Sequence, residues 1–213
     1  MADTFEISDQ AVDVQLVAFG NELNNGKLRY YSGPIPPNAA AALSGNTLLA
    51  EQTFSATAFG SPQAAIGGRK IVANAIASVT AVASGTCNFV RALKSDGTTV
   101  IAQYVAGTAA RVRVRVNADA AAGATSLNAD TDGALPNGAV IEFENGVRAT
   151  LTASAAQGTG VTLSVSALVA AVPAETDGVY NPSGAGDVVL NDLNIVAGGQ
   201  VSVSSFEHYG RRD

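Results

Sequence analysis

Cysteine, histidine and tryptophan are almost missing: the 213-residue chain holds one Cys, one His and no Trp. A lone Cys87 makes no internal disulfide, which excludes a disulfide-stapled scaffold. One Cys with one His cannot build a structural zinc site. Charge is scarce too, at 14% of residues, and basic residues are the scarcer kind, 12 Lys+Arg against 18 Asp+Glu. The resulting net charge of −6 argues against nucleic acid as a main ligand, because phosphate binding needs a basic surface. The longest strongly apolar run, Leu163–Val172, falls short of the ~20 residues that span a bilayer, so no membrane partner is expected. The opening MADTFEISDQ has neither a basic nor an apolar stretch of the kind that directs secretion.

Small side chains fill the space that these absences leave. Hydrophobic residues make up 47% of the chain, but much of that share is alanine, and there are 22 glycines. A methyl group buries far less apolar area than a Leu or Phe side chain. So thin a core is marginal for an isolated monomer, and contacts with other subunits are expected to add stability.

One long helix is legible. Val12, Leu16, Phe19 and Leu23 stack on one face, Ser8 or Asp9 can cap its start, and Gly26 can stop it. A short helical turn is expected at Asn38–Leu43, after Pro36 and Pro37. Elsewhere the pattern is of strands: Lys27–Tyr31, Thr47–Phe54, Arg69–Ala75, Ala77–Ala83, Thr86–Leu93, Thr99–Val105, Val188–Leu190 and Gln200–Phe206. Asp96-Gly97, between two of them, is a strong hairpin signal.

The text changes between about Gly107 and Pro182, becoming rich in Ala, Thr and Gly. It also looks duplicated. Val116-Asn-Ala-Asp-Ala-Ala-Ala-Gly123, with Leu127 and Leu135-Pro136, aligns with Leu151-Thr-Ala-Ser-Ala-Ala-Gln-Gly158, with Leu163 and Val172-Pro173. The expectation is a mainly β protein: a β-sandwich-like host domain with an N-terminal helix (1–107 plus 183–213) and an inserted small β-domain with an internal pseudo-repeat (108–182). The Gly- and Pro-containing flanks suit an insertion point.

Candidate chemistry is sparse. His208 sits in FEHYGRRD near the end of the sequence, and no GxSxG elbow accompanies it. Asp130-Thr-Asp132-Gly133 and Glu175-Thr-Asp177-Gly178 offer closely spaced carboxylates with a glycine. They lack the further ligands of a complete calcium loop, and a plain Asp-Gly turn is the simpler reading. Cys87 has no basic neighbour and reads as a small buried packing residue. Arg111, Arg113 and Arg115 alternate with Val112, Val114 and Val116, which places the guanidinium groups on one face of a strand. Two explanations stand. Either Glu142 and Glu144 on a neighbouring strand pair with them, or they meet an acidic partner. No catalytic, cofactor-binding or metal-binding residue is assigned, and no enzyme activity is expected.

The segments Leu28-Arg-Tyr-Tyr-Ser-Gly33, Ala42-Leu-Ser-Gly-Asn-Thr-Leu-Leu-Ala-Glu51, Phe54-Ser-Ala-Thr-Ala-Phe59, Val82-Ala-Ser-Gly-Thr86, Asp96-Gly-Thr-Thr-Val100 and Asp192–Phe206 resemble small virion structural proteins of tailed bacteriophages and prophages. The resemblance covers most of residues 11–107 and 186–206. The middle segment is similar to short β-rich modules of phage head and tail proteins. In that group the strand at Val100 runs quickly into the one at Leu190, whereas here about 75 residues intervene. The resemblance implies a non-enzymatic capsid decoration or cement protein, made in the host bacterial cytoplasm and placed on the capsid surface. Its partners would be the major capsid protein and copies of itself, with a homotrimer expected and no nucleic acid or membrane. A tail or baseplate component, or a receptor- or carbohydrate-binding module using Tyr30, Tyr31 and Tyr180, are the alternatives. Candidate partner-binding residues are Arg111, Arg113, Arg115, Phe206, His208, Tyr209, Arg211 and Arg212. The last five belong to a C-terminal tail (Phe206–Asp213) that, with an N-terminal arm (Met1–Ser8), is expected to extend beyond the core.

Overall fold

The computed structural model describes residues 7–211. It is mainly β, with one α-helix, α1 (Asp9–Glu22), and twenty strands. Ser8 caps the helix: its hydroxyl accepts from the Ala11 N–H at 3.3 Å. Val12, Leu16 and Leu23 are buried and Phe19 packs against the same core. The chain divides into two compact units, residues 1–63, 68–110 and 184–213 in the first, and 64–67 with 111–183 in the second. The divisions on either side of the insert fall within a few residues of the expected ones, and the short stretch 64–67 is an addition that the sequence does not announce.

The strands before the insert are β1 (Lys27–Ser32), β2 (Thr47–Thr53), β3 (Gln63–Ala65), β4 (Gly68–Val72), β5 (Val79–Thr80), β6 (Gly85–Thr86), β7 (Phe89–Leu93), β8 (Val100–Gly107) and β9 (Ala109–Ala110). The insert holds β10 (Val112–Val116), β11 (Ser126–Thr131), β12 (Val140–Phe143), β13 (Arg148–Thr150), β14 (Gly158–Ser164) and β15 (Asp177–Tyr180). After it come β16 (Ala185–Gly186), β17 (Val188–Leu190), β18 (Asn194–Ile195), β19 (Gln200–Val201) and β20 (Val203–Arg211).

The first unit is built on a sheet whose strands run in the order β2-β1-β7-β8-β17-β20-β4. Its core holds Leu28, Tyr30, Leu49, Phe54, Val90 and Phe206, closed on one side by α1 and further packed by Ala81, Ile195 and Val201. The second layer of the expected sandwich is thus reduced to two short ladders, β5·β19 and β6·β18, with their loops. Asp96 and Gly97 (φ 68°) turn β7 into β8 as expected, and the Asp96 carboxylate accepts from the Thr98 and Thr99 N–H groups. β8 and β17 run parallel, a pairing no tight turn can make. The inserted unit is the connection between them. Where the chain leaves and re-enters, Gly107 and Gly186 touch backbone to backbone: a Cβ on either would lie 2.3 Å from the other's nitrogen.

Two sequence expectations hold only in part. Asn38–Leu43 makes a single turn, the Ala41 N–H on the Asn38 carbonyl at 3.2 Å, and does not wind on into helix. Arg91 and Gln103 side chains take the carbonyls of Pro36, Asn38 and Ala41, and Pro37 brings no N–H. Ala77–Ala83 shrinks to β5, because the Val82 and Ala83 N–H groups both turn to the Leu49 carbonyl.

The second unit carries the sequence duplication in its hydrogen bonds. Ala120 and Val172 exchange both backbone bonds, and so do their aligned counterparts Ala155 and Leu135. Val116 takes the Thr176 carbonyl and gives its own to Glu175; Leu151 does the same with Ala139 and Gly138. Arg115 lies opposite Asp177 as Thr150 lies opposite Val140. The two halves are thus related by a pseudo-two-fold running between β12 and β15, neighbours in the order β13-β12-β15-β10-β11-β14. The Leu151↔Val165 bridge, flanked by Thr152 N–H to Ser164 and Ser166 N–H to Thr150, joins the two ends of that order. The strands therefore close around Val114, Leu127, Ile141, Phe143 and Leu163, and closure removes exposed strand edges.

Candidate docking surfaces

The arginine strand does not pair with the two glutamates expected beside it. In β10 the even positions do turn inward, with Val114 and Val116 fully buried. Glu142, however, lies on β12, and β15 separates β12 from β10. Glu142 sits opposite Arg148, 3.6 Å away, and Glu144 accepts from the Asp177 N–H. Arg115 is held instead by Glu175 at 2.6 Å and Asp177 at 2.9 Å. The Arg113 N–H donates to Asp132. Asp130 accepts from Asn117 and Gly160. The carboxylates of both acidic tetrads thus serve local bonds, and Asp177-Gly178 lies inside β15 rather than forming the turn expected there. Gly178 is needed where it stands, since a Cβ would come within 2.6 Å of Phe143.

The C-terminal segment is not a tail. Phe206 is buried among Phe54, Phe59 and Tyr104, and the strand runs on through His208 and Tyr209 to Arg211, paired with β4 throughout. The reason is the strand's alternation: it continues past Phe206 and finds a partner 137 residues away, where Lys70 bonds Glu207. His208 lies flat on Phe19, centroids 3.8 Å apart at 12°. Its Nδ1 shares a 3.1 Å hydrogen bond with the Tyr104 hydroxyl. Burial pulls its pKa down, while Asp187 pulls weakly the other way. Arg212, Asp213 and Met1 to Glu6 of the expected arm lie outside the described residues. Cys87 is 1% exposed, and burial pushes its thiol up to about 12.

A third surface was not anticipated. The segments 32–50, 71–90 and 193–206 contain no charged residue. The fold gathers parts of all three at one end of the first unit. The Val82 N–H bonds Leu49, Gly198 bonds Ala81, Ala197 bonds the Ser84 hydroxyl, and Gly85 abuts Ser32. Four large apolar side chains are exposed on these segments: Ile35 (48%), Leu43 (40%), Val82 (69%) and Val196 (65%). A shallow hollow of about 200 Å³ opens beside Ile195 and Gln200.

This end is held by two buried polar side chains. Arg91, 5% exposed, donates to Gln103 at 3.1 Å and to the Ala41 carbonyl at 2.7 Å; Gln103 in turn donates to the Pro36 carbonyl. The loop 33–46 is closed at its base by Asn46, which donates to Ser32 and Pro34, and by Asn88, which donates to Gly33. Gln52, fully buried, accepts from the Tyr30 hydroxyl and donates to the Ala77 and Val201 carbonyls. A signal for both was present. Gln52 keeps period-two phase with the core residues Ala50 and Phe54, and Arg91 keeps it with the buried Phe89 and Leu93 on the face opposite Val90 and Ala92, so each polar residue is set on a covered face.

No family model matches the chain, and neither a curated protein nor a solved structure is detectably similar to it.

Proposed function

We propose that this chain is a non-enzymatic structural protein of a bacteriophage virion, a capsid decoration or cement protein that docks on the outer surface of the coat lattice and bridges capsomers. The observation that carries this reading is the uncharged, rigidly held end of the first unit. Interface centres are depleted of charge, and a surface fixed before contact loses little entropy on docking. Many modest contacts of this kind, repeated over a lattice, add up through multivalency. The His208 ring is engaged by Phe19 and Tyr104, which favours a packing role over a catalytic one.

Purified particles give the test. Hundreds of copies per particle, and binding of the pure protein to empty expanded capsids, are the expected results. A few to dozens of copies would move the protein to the tail or baseplate. Absence from every assembled particle would remove the proposal. The carbohydrate-binding alternative loses two of its three stacking candidates, since Tyr30 is fully buried and Tyr31 is 6% exposed.

A further inference from the structure

We infer that Asn137 is a covalent modification site: the folded chain loses ammonia at Asn137-Gly138 and is protected from the same loss at Asn25-Gly26 and Asn145-Gly146.

The sequence holds Asn-Gly three times. Each is a place where a chain can react with itself, because glycine has no side chain to shield its own nitrogen. That nitrogen gives up its proton and attacks the amide carbon of the preceding asparagine. A carbon–nitrogen bond forms within the chain, the side-chain carbon–nitrogen bond breaks, and the leaving amide takes up a proton and departs as ammonia. Water then opens the cyclic imide at one of its two carbonyls, leaving aspartate or its isomer linked through the side chain. The sum is asparagine plus water giving a carboxylic acid plus ammonia, with nothing oxidised or reduced.

A fold controls this reaction at two atoms, the glycine nitrogen and the amide carbon. Hydrogen bonding of the nitrogen does not separate the three sites. Gly26 bonds the Leu23 carbonyl at 2.8 Å, Gly138 bonds Leu151 at 2.9 Å and Gly146 bonds Phe143 at 2.8 Å. The surroundings do separate them. Gly26 is buried, and a Cβ placed on it would lie 2.3 Å from the Leu93 carbonyl oxygen, so the backbone there is walled in. At Asn145 the amide is held at both ends. Its oxygen accepts from the Val147 N–H at 3.1 Å, and its nitrogen donates to the Ala171 carbonyl at 3.2 Å. Turning that amide onto Gly146 strains or breaks both bonds. Asn137 has neither restraint. It is exposed, its amide bonds no group among the described residues, and a Cβ on Gly138 would meet nothing within 4 Å.

The inserted unit supplies its own comparison. The turn at Asn137 is closed by the Ala139 N–H on the Pro136 carbonyl at 3.0 Å, with Gly138 left-handed at φ 81°. In the other half the aligned residues are Pro173-Ala174-Glu175-Thr176, and Glu175 takes the same left-handed backbone, φ 65°. The fold therefore tolerates an alanine where Asn137 stands, and the asparagine amide is free to be spent. Its conversion puts one more negative charge on an exposed turn. The isomer also lengthens the backbone just ahead of the Gly138 N–H, whose bond to Leu151 lies beside the β12–β13 ladder.

Mass spectrometry with fragment mapping tests the inference. The full chain is incubated for weeks at physiological temperature and pH, folded in one arm and in guanidinium chloride in the other. Unfolded, all three sites should convert from amide to acid at comparable rates. Folded, Asn137 should lead Asn25 and Asn145 by at least about tenfold, since a closed structure slows reaction by the free energy of local opening. Its product should appear as two peptides of equal mass, aspartate and its isomer. Asn137→Ala, copying the aligned Ala174, should abolish that signal and leave the melting temperature unchanged. Asn25 or Asn145 reacting as fast as Asn137 in the folded arm would overturn the inference. So would a folded chain unchanged at Asn137 once the unfolded arm has reacted to completion. Should Asn137→Ala fail to fold, the two wild-type arms decide the matter alone.

Discussion

At position 175 a glutamate holds a left-handed backbone, φ 65°, where its counterpart in the other half of the second unit is Gly138, φ 81°. Such a conformation costs a residue with a Cβ about 1–2 kcal/mol. The Glu175–Arg115 ion pair returns little, because Glu175 is 71% exposed and such pairs contribute about 0–1 kcal/mol. Gly138→Ala should therefore destabilise by about 1–2 kcal/mol even though its Cβ would meet nothing within 4 Å, while Glu175→Gly should stay within about 1 kcal/mol of wild type. Chemical denaturation of both variants checks the asymmetry; equal losses would refute it. His208 supplies a pH dependence. Its pKa is depressed in the fold, chiefly by burial, so the unfolded chain binds the proton more readily. The stability from a neutral His208 is complete above the unfolded value of about 6.5 and is lost as pH falls below it. The gap in melting temperature between wild type and His208→Phe should thus narrow from pH 7.5 to 5.5. A constant gap would contradict the assignment. Among single residues, Ser8, Asp96 and Gly97 were legible because their bonds reach only two or three positions along the chain. For Arg91 the phase in the strand was legible but the loop carbonyls it clamps were not, since Asn38 and Ala41 lie about 50 residues upstream.

Elements were legible to the extent that their partners were near. The helix and the β7–β8 hairpin follow from local spacing and turn chemistry. β20 does not, and its last residues read as a polar tail because their partner β4 lies far back in the sequence. The consequence is measurable. Deleting residues 207–213 should do more than trim an arm: it strips β4 of its ladder and uncovers Phe19, which His208 shields. Loss of soluble protein, or a fall in melting temperature of about 10 °C or more, is expected. A truncated chain that melts like wild type would restore the tail. The arginine strand shows the opposite limit. Its inward valines were readable from alternation, but strand order was not, so β15 replaced β12 as its neighbour and brought Asp177 in place of Glu142.

For the whole molecule, the two units own separate cores, one around Phe54 and Phe206, the other around Ile141 and Phe143. Ile141→Ala should cost about 2–5 kcal/mol in the insert alone, and Leu28→Ala a similar amount in the host. Calorimetry should show each variant moving a different transition; a single transition shifted by both would mean that the cores melt together. The reciprocal bonding of the insert reaches further. Each half hands its backbone groups to the other, so neither 111–146 nor 147–183 retains a full set of partners by itself. The linkage at Gly146 (φ 81°), in contrast, turns through open space and carries little of that bonding. A protease nick there would sever the covalent thread and leave the two pieces gripping each other as complementing fragments.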